Sequence, residues 1–272
     1  MKLILFSKAF KDRNIKELIE LAHGYGLDGY DFCVRPEYPV NPDNVADKLP
    51  EAASLFAKDG LSIQMVTGNF DLIFPDHPTA RPILSAMDKA DIRLLKMGYF
   101  FFNPGKQDYW QEVDKIRTAF EGWQKLGREY NVKICYHTHS SRCMGFNASA
   151  LSHLINGFDP RYIGAYIDTA HMAIEGEEFC FGIDIIKKYL SIVALKDVLL
   201  TREAVGDHGR KAMSWVTAGN GMVDWTAVFS DLRRVGYKGP LSIHCEFSVP
   251  EAEFMNAVKR EVEFFRNKCR EL

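Results

Sequence analysis

Eight short apolar runs recur along the chain: KLILF, LDGYDFCV, LSIQMVT, IRLLKMG, VKICYH, YIGAYID, SIVALKD and GPLSIHCEF. Most are continuous rather than alternating, as expected of strands buried on both faces of a parallel sheet. Amphipathic stretches lie between them. NIKELIELAHGYG places Ile15, Leu18, Ile19 and Ala22 on one face, with Asn14 and Glu17 spaced as a capping box and Gly24 or Gly26 as the stop. The stretch 108–130 repeats the design with Val113, Ile116, Phe120 and Trp123. DWTAVFSDLRRVGYKG starts at a capping Asp224, and Met255, Val258, Val262 and Phe265 form a last stripe. These stripes read as core packing. Eight strand–helix units without a break in composition predict a closed (β/α)8 TIM barrel, α/β in class, as a single domain over residues 1–272. An open doubly wound sheet is the runner-up, but FSKAFKD lacks the glycine-rich turn that often follows its first strand.

Composition narrows the function classes. With 272 residues, 47% of them hydrophobic, the chain can bury a sizeable core. Its 34 basic and 36 acidic residues leave a net charge of −2, which argues against a duplex-binding protein. No apolar run reaches the ~20 residues of a membrane span, and MKLILFSKAF has no long apolar stretch of a signal peptide. The six cysteines are scattered and form no CxxC pair, so reduced thiols and a cytoplasmic setting are expected, while a leader trimmed from the start stays compatible.

In such a barrel the chemistry lies at the C-terminal ends of the strands. Those ends carry Asp31 and Arg35, Lys96, His137 and His139, Asp168 and His171, Lys196 and Asp197, and His244 and Glu246. Four of the eight histidines fall here. The period of two puts His137 with His139, His244 with Glu246, and Ala194 with Lys196 on shared faces. Carrying that many titratable groups with no use for them is costly. Two features have bland alternatives. Lys196 beside Asp197 reads equally as an ion pair, and TAGNGMVDW reads as a plain loop before as an anion cradle of backbone amides.

At YIDTAHMAIEG, ALKDV, AGNGMVDW and GPLSIHCEF the sequence resembles the xylose-isomerase-like sugar phosphate isomerase/epimerase superfamily, which also holds ketose epimerases, inosose dehydratases and zinc endonucleases. The resemblance implies a TIM barrel with one divalent metal ion (Mn, Co, Zn or Fe) at its mouth. Asp168 and Glu246 match metal ligands of the ketose epimerases, and His171 matches a histidine that contacts substrate. Two positions depart. His137, in YHTH, stands where the fifth strand of the epimerases ends in a glutamate, and Ala194 replaces the seventh-strand histidine. A metal held by His137, Asp168 and Glu246 is the resulting expectation, with Lys196 as the source of positive charge if the metal is lost.

The expected activity is a sugar isomerase or epimerase that abstracts a proton next to a carbonyl. Glu246 or His137 is the base, Lys196 orients or protonates oxygens, and His139, His171, His244 and Arg35 bind substrate. Elimination from a keto-sugar, keto-glycoside or inosose is the alternative, because it needs no matched base on the opposite face. A non-catalytic sugar-binding barrel with a decayed metal site is the second alternative, with Trp215 and MGYFFFNPG as stacking surfaces, although these aromatics read first as barrel wall. The expected partner is a small carbohydrate, with no nucleic acid and no membrane. Related barrels often form homo-oligomers near the mouth, to which NPDNVADKLPEAASLF can contribute, although it reads equally as a barrel helix.

Overall fold

The computed structural model describes residues 1–271. Its strands, in chain order, are β1 (Leu3–Phe6), β2 (Gly29–Cys33), β3 (Ser62–Thr67), β4 (Leu94–Lys96), β5 (Lys133–His137), β6 (Ile163–Asp168), β7 (Leu190–Leu195), β8 (Asp197–Val205), β9 (His208–Val216) and β10 (Leu241–Ile243). All but β8 and β9 pair in parallel, and β10 closes β7 onto β1 to complete an eight-stranded barrel. Each of the eight apolar runs therefore forms a barrel strand. Alternate residues divide between two environments. Ile4, Met65, Cys135, Tyr166, Ile192 and Ala194 pack against one another in a small cluster of their own. Their chain neighbours Leu3, Leu5, Ile134, Tyr136, Ala165, Ile167, Val193 and Leu195 join the large core shared with the helices.

The helix ends follow the sequence signals. Asn14 and Glu17 form the capping box of the helix Ile15–Tyr25, which Gly26 ends at φ +65°. Asp108 caps Tyr109–Glu129 by accepting from the Gln111 amide, and Asp224 caps Trp225–Arg234 by accepting from the Ala227 amide. Among the described residues no helix is long and apolar enough to cross a membrane. All six cysteines are free, and four of them, Cys33, Cys135, Cys143 and Cys245, are buried.

The antiparallel β8–β9 hairpin has no counterpart in the eight apolar runs. It continues in unbroken register from Asp197 opposite Val216 to Val205 opposite His208. Its two-residue loop puts Gly206 at φ +59°, the conformation that such a turn requires of its first residue. Its exposed residues are too polar and mixed to stand out as a strand signal. Asp197, at its base, is not paired with Lys196. It turns away from the mouth and accepts from five N–H groups. Oδ1 takes the amides of Val198 (2.8 Å) and Val223 (3.2 Å). Oδ2 takes the amides of Gly219 (2.9 Å) and Gly221 (3.2 Å) and the Trp225 indole (3.0 Å). The loop thus does cradle an anion, and the anion is the protein's own carboxylate. A Cβ at Gly221 would lie 2.1 Å from Asp197 Oδ1, so only glycine allows this approach.

Candidate functional site

A cavity of about 250 Å³ opens at the C-terminal ends of the barrel strands. Arg35, His137, His139, His171, Lys196, His244 and Glu246 all line it, as the strand-end pattern predicts. Asp168 lies just behind the wall and is fully buried.

Asp168 ends β6 and also caps the following short helix. Its Oδ1 accepts from the amides of Ala170 (2.9 Å) and His171 (3.0 Å). Among the described residues Oδ2 has no hydrogen-bond partner; it lies 3.4 Å from His137 Nε2, which has none there either. His171 Nε2 stands 4.0 Å from the same oxygen. Burial works against the Asp168 charge, but His171, His137 and Lys196 outweigh it and hold the carboxyl well below its usual range. Burial keeps His137 neutral and pushes His171 down to about 3. His171 Nδ1 accepts from the Ser140 amide at 3.3 Å, which leaves the Nε2 proton facing Asp168. His137 is fixed by Tyr99, whose hydroxyl meets Nδ1 at 2.7 Å, and its ring stacks on Tyr166 at 4.3 Å.

Across the mouth, Glu246 follows β10 and is held by two ammonium groups. Lys196 Nζ lies 2.6 Å from Oε2, and Lys8 pairs with Oε1. Lys196 also sits 3.6 Å above the centre of the Trp215 ring, which the hairpin carries over the mouth. His244 Nδ1 is 3.7 Å from Glu246 Oε2. Its Nε2 meets the Tyr166 hydroxyl at 2.7 Å, and that hydroxyl reaches Asp31 Oδ2 at 2.9 Å. Burial opposes protonation of His244, yet Asp31 and Glu246 together raise its pKa above the ordinary value. Burial likewise opposes the Glu246 charge, and His244, Lys196 and Lys8 more than offset it, so the carboxyl stays ionised.

The expected metal trio is not assembled. Among the described residues no three of His, Cys, Asp and Glu are grouped as a metal ion requires. The reason lies in the donors. Glu246 is taken by Lys196 and Lys8, Ala194 offers no donor, and Asp168 Oδ1 is spent on the helix cap. Among the described residues His137 Nε2 and Asp168 Oδ2 are left without partners, two donors where catalytic sites usually have three. The residues present therefore do not fit a resident divalent ion.

Several residues of the site carry no role that the sequence alone assigns. Tyr166 shares a face with Asp168 two positions on, so the period of two could have found it. Asp31 and Lys96 stand at strand ends but lie in an ordinary mixture of polar residues. Lys8 sits in a 3-10 turn after β1, where no periodicity points inward. Tyr99 lies beyond β4 in MGYFFFNPG and reads as wall.

The sequence shares 28% identity over 152 residues with an inosose dehydratase of Clostridium tetani, covering 52% of this chain and 48% of that protein. The chain spans about half the length of the curated relatives it matches. The 3-keto-D-glucoside 4-epimerase of E. coli superposes with a TM-score of 0.76 at 16% identity, over 98% of this chain and 99% of that one. The IOLI protein with a bound zinc atom superposes with a TM-score of 0.72 at 16% identity, over 100% and 97%. These structural likenesses are of fold. With the family's sequence pattern matched over residues 19–268, the chain belongs to the xylose isomerase-like TIM barrel family.

Proposed function

We propose that the protein is an enzyme that removes and returns a proton beside the carbonyl of a keto-sugar, as an isomerase or epimerase. One observation carries this reading. Two groups able to exchange a proton, the Glu246 carboxylate and the neutral His137 imidazole, face one sugar-sized cavity from β10 and β5, which β6 and β7 separate in the barrel. Epimerisation needs such groups on opposite faces of the substrate carbon.

The charge that develops on the carbonyl oxygen needs a cation, and Lys196 is next to the base. While Lys196 and Lys8 hold Glu246, its carboxylate is a weak base. A substrate oxygen that draws Lys196 away raises that basicity at the moment the proton must be taken. His244 lies between Glu246 and the Tyr166–Asp31 pair, which raise its pKa, and is placed to return a proton to oxygen. No step here passes through a metal. A divalent ion on His137, Asp168 and Glu246 is the competing reading, and it requires both lysines to leave Glu246.

Elimination is the second reading. The same carbanion can expel a neighbouring leaving group that His244 protonates. The likeness to an inosose dehydratase favours it.

The test is wash-in of solvent deuterium with a 3-keto-D-glucoside and with an inosose, followed by NMR. Exchange at the carbon beside the carbonyl supports the reading. Exchange with a new epimer selects epimerisation, and appearance of an enone selects elimination. Binding without exchange on any keto-sugar tried would leave a sugar-binding barrel instead.

A further inference from the structure

One wall of the cavity carries two cations that the proposed chemistry does not use. Arg35 follows β2 and is 5% exposed, and Lys96 ends β4 and is 3% exposed. The Phe70 ring lies between them, 4.7 Å from the Arg35 guanidinium carbon and 5.7 Å from Lys96 Nζ, which is also 3.7 Å from the Tyr99 ring centre. Arg35 Nε donates to the Gly68 carbonyl at 3.0 Å. Neither residue forms an ion pair among the described residues, unlike Lys196 on the other side of the mouth. Asp31 is the carboxylate that acts on Lys96, and its oxygens are already used by Thr67 (2.6 Å), Tyr166 (2.9 Å) and Ser242 (3.1 Å).

Two buried like charges with no counterion are an expensive arrangement. Aromatic faces offset little of that cost. Consistently, burial first and then Arg35 depress the Lys96 ammonium far below its ordinary range. An anion placed between them would reverse this.

We infer that the substrate carries an anionic group and that Arg35 and Lys96 receive it at this wall of the cavity. The inference rests on the keto-sugar reading and narrows it to an acidic keto-sugar. Carboxylate and phosphate share the required chemistry. The wall supplies the remaining guanidinium N–H groups and one ammonium, donors that either group can accept from, and the carboxylate asks less of them.

Three keto-sugars that differ only at the sixth carbon make the test: D-fructuronate, D-fructose 6-phosphate and D-fructose. Each is titrated calorimetrically into the full chain and into Lys96→Met and Arg35→Gln, with thermal unfolding of each variant to confirm the fold. The expected result is that D-fructuronate binds about tenfold or more tighter than D-fructose, and that the advantage falls away in whichever variant stays folded. A matching advantage confined to D-fructose 6-phosphate assigns the subsite to phosphate. If neither anion binds more tightly than D-fructose, the inference is overturned. Deuterium wash-in on the same samples separates the two ideas. Exchange without anion preference removes only the subsite, whereas anion preference without exchange removes the proton chemistry and leaves the subsite standing.

Discussion

Replacing Asp197 tests whether one carboxylate holds the base of the hairpin and the following loop together. Five N–H groups converge on it, two on Oδ1 and three on Oδ2. Asp197→Ala leaves these donors without a protein acceptor in a site that is 1% exposed at Asp197. A buried unsatisfied donor costs about 1–3 kcal/mol, so five with no other partner would cost about 5–15 kcal/mol. Water entering the vacated space and relief from burying a charge return part of it, leaving an expected loss of about 3–5 kcal/mol. For a chain of this size that lowers Tm by roughly 6–20 °C. Asp197→Asn is the sharper variant. The amide keeps one oxygen, but its NH2 then points at the two or three donors served by the other, so it recovers little, and a loss of about 2–4 kcal/mol is expected. Urea unfolding followed by circular dichroism and Trp fluorescence reads both. If the Asp197→Asn protein unfolds within ~0.5 kcal/mol of the parent, the cradle does not hold this region and the reasoning fails.

Glu246→Gln is expected to abolish deuterium exchange while Tm changes little, and undiminished exchange would remove Glu246 as a base. Glu261, buried with Oε1 unpartnered among the described residues and Oε2 accepting from the Ala218 amide, is raised by burial from 4.5 to about 8. Between these values the folded chain binds the proton that the unfolded chain has lost, so stability falls as pH rises from ~5 to ~8, by up to a few kcal/mol. Glu261→Gln should flatten that dependence in urea titrations at several pH values, and an unchanged slope would show that the carboxyl does not titrate there. His244, raised above its ordinary value, contributes stability that is complete below pH ~6.5 and is lost as pH climbs through its folded pKa. The same deprotonation should lower the rate of any step needing His244 as an acid, which a pH–rate profile of His244→Gln beside the parent would reveal. Finally, chelation should leave deuterium exchange unchanged. Near-stoichiometric Mn, Co, Zn or Fe in the purified protein, lost in Asp168→Asn, would instead restore the metal trio.

The barrel was readable because its strands are buried on both faces, and two-sided burial writes itself as uninterrupted apolar runs. The gathering of Arg35, His137, His139, His171, Lys196, His244 and Glu246 was readable for a related reason. Strand ends in a closed parallel barrel converge whatever their sequence separation. What one sequence does not encode locally is which groups pair after they converge. The family resemblance makes Glu246 a metal ligand, and only the three-dimensional arrangement shows that Lys8, 238 residues away, and Lys196 both pair with it. Adjacent residues present the opposite case. Lys196 and Asp197 invite an ion pair by proximity along the chain, but extended backbone sends their side chains to opposite sides. The hairpin leaves no mark in the sequence pattern because an exposed two-stranded ribbon buries too little to leave a strong hydrophobic signature.

That ribbon also bears on how the site can change over evolutionary time. Its outgoing and returning ends, Asp197 and Val216, face each other across a single rung. The barrel therefore experiences the whole excursion as one short bridge between β7 and the next helix. Rungs can be gained or lost beyond the first pair without altering the spacing of any barrel strand. Trp215, one rung out, travels with the ribbon while Lys196 stays with the wall. The roof over the cavity and the wall beneath it are thus free to diversify at different rates.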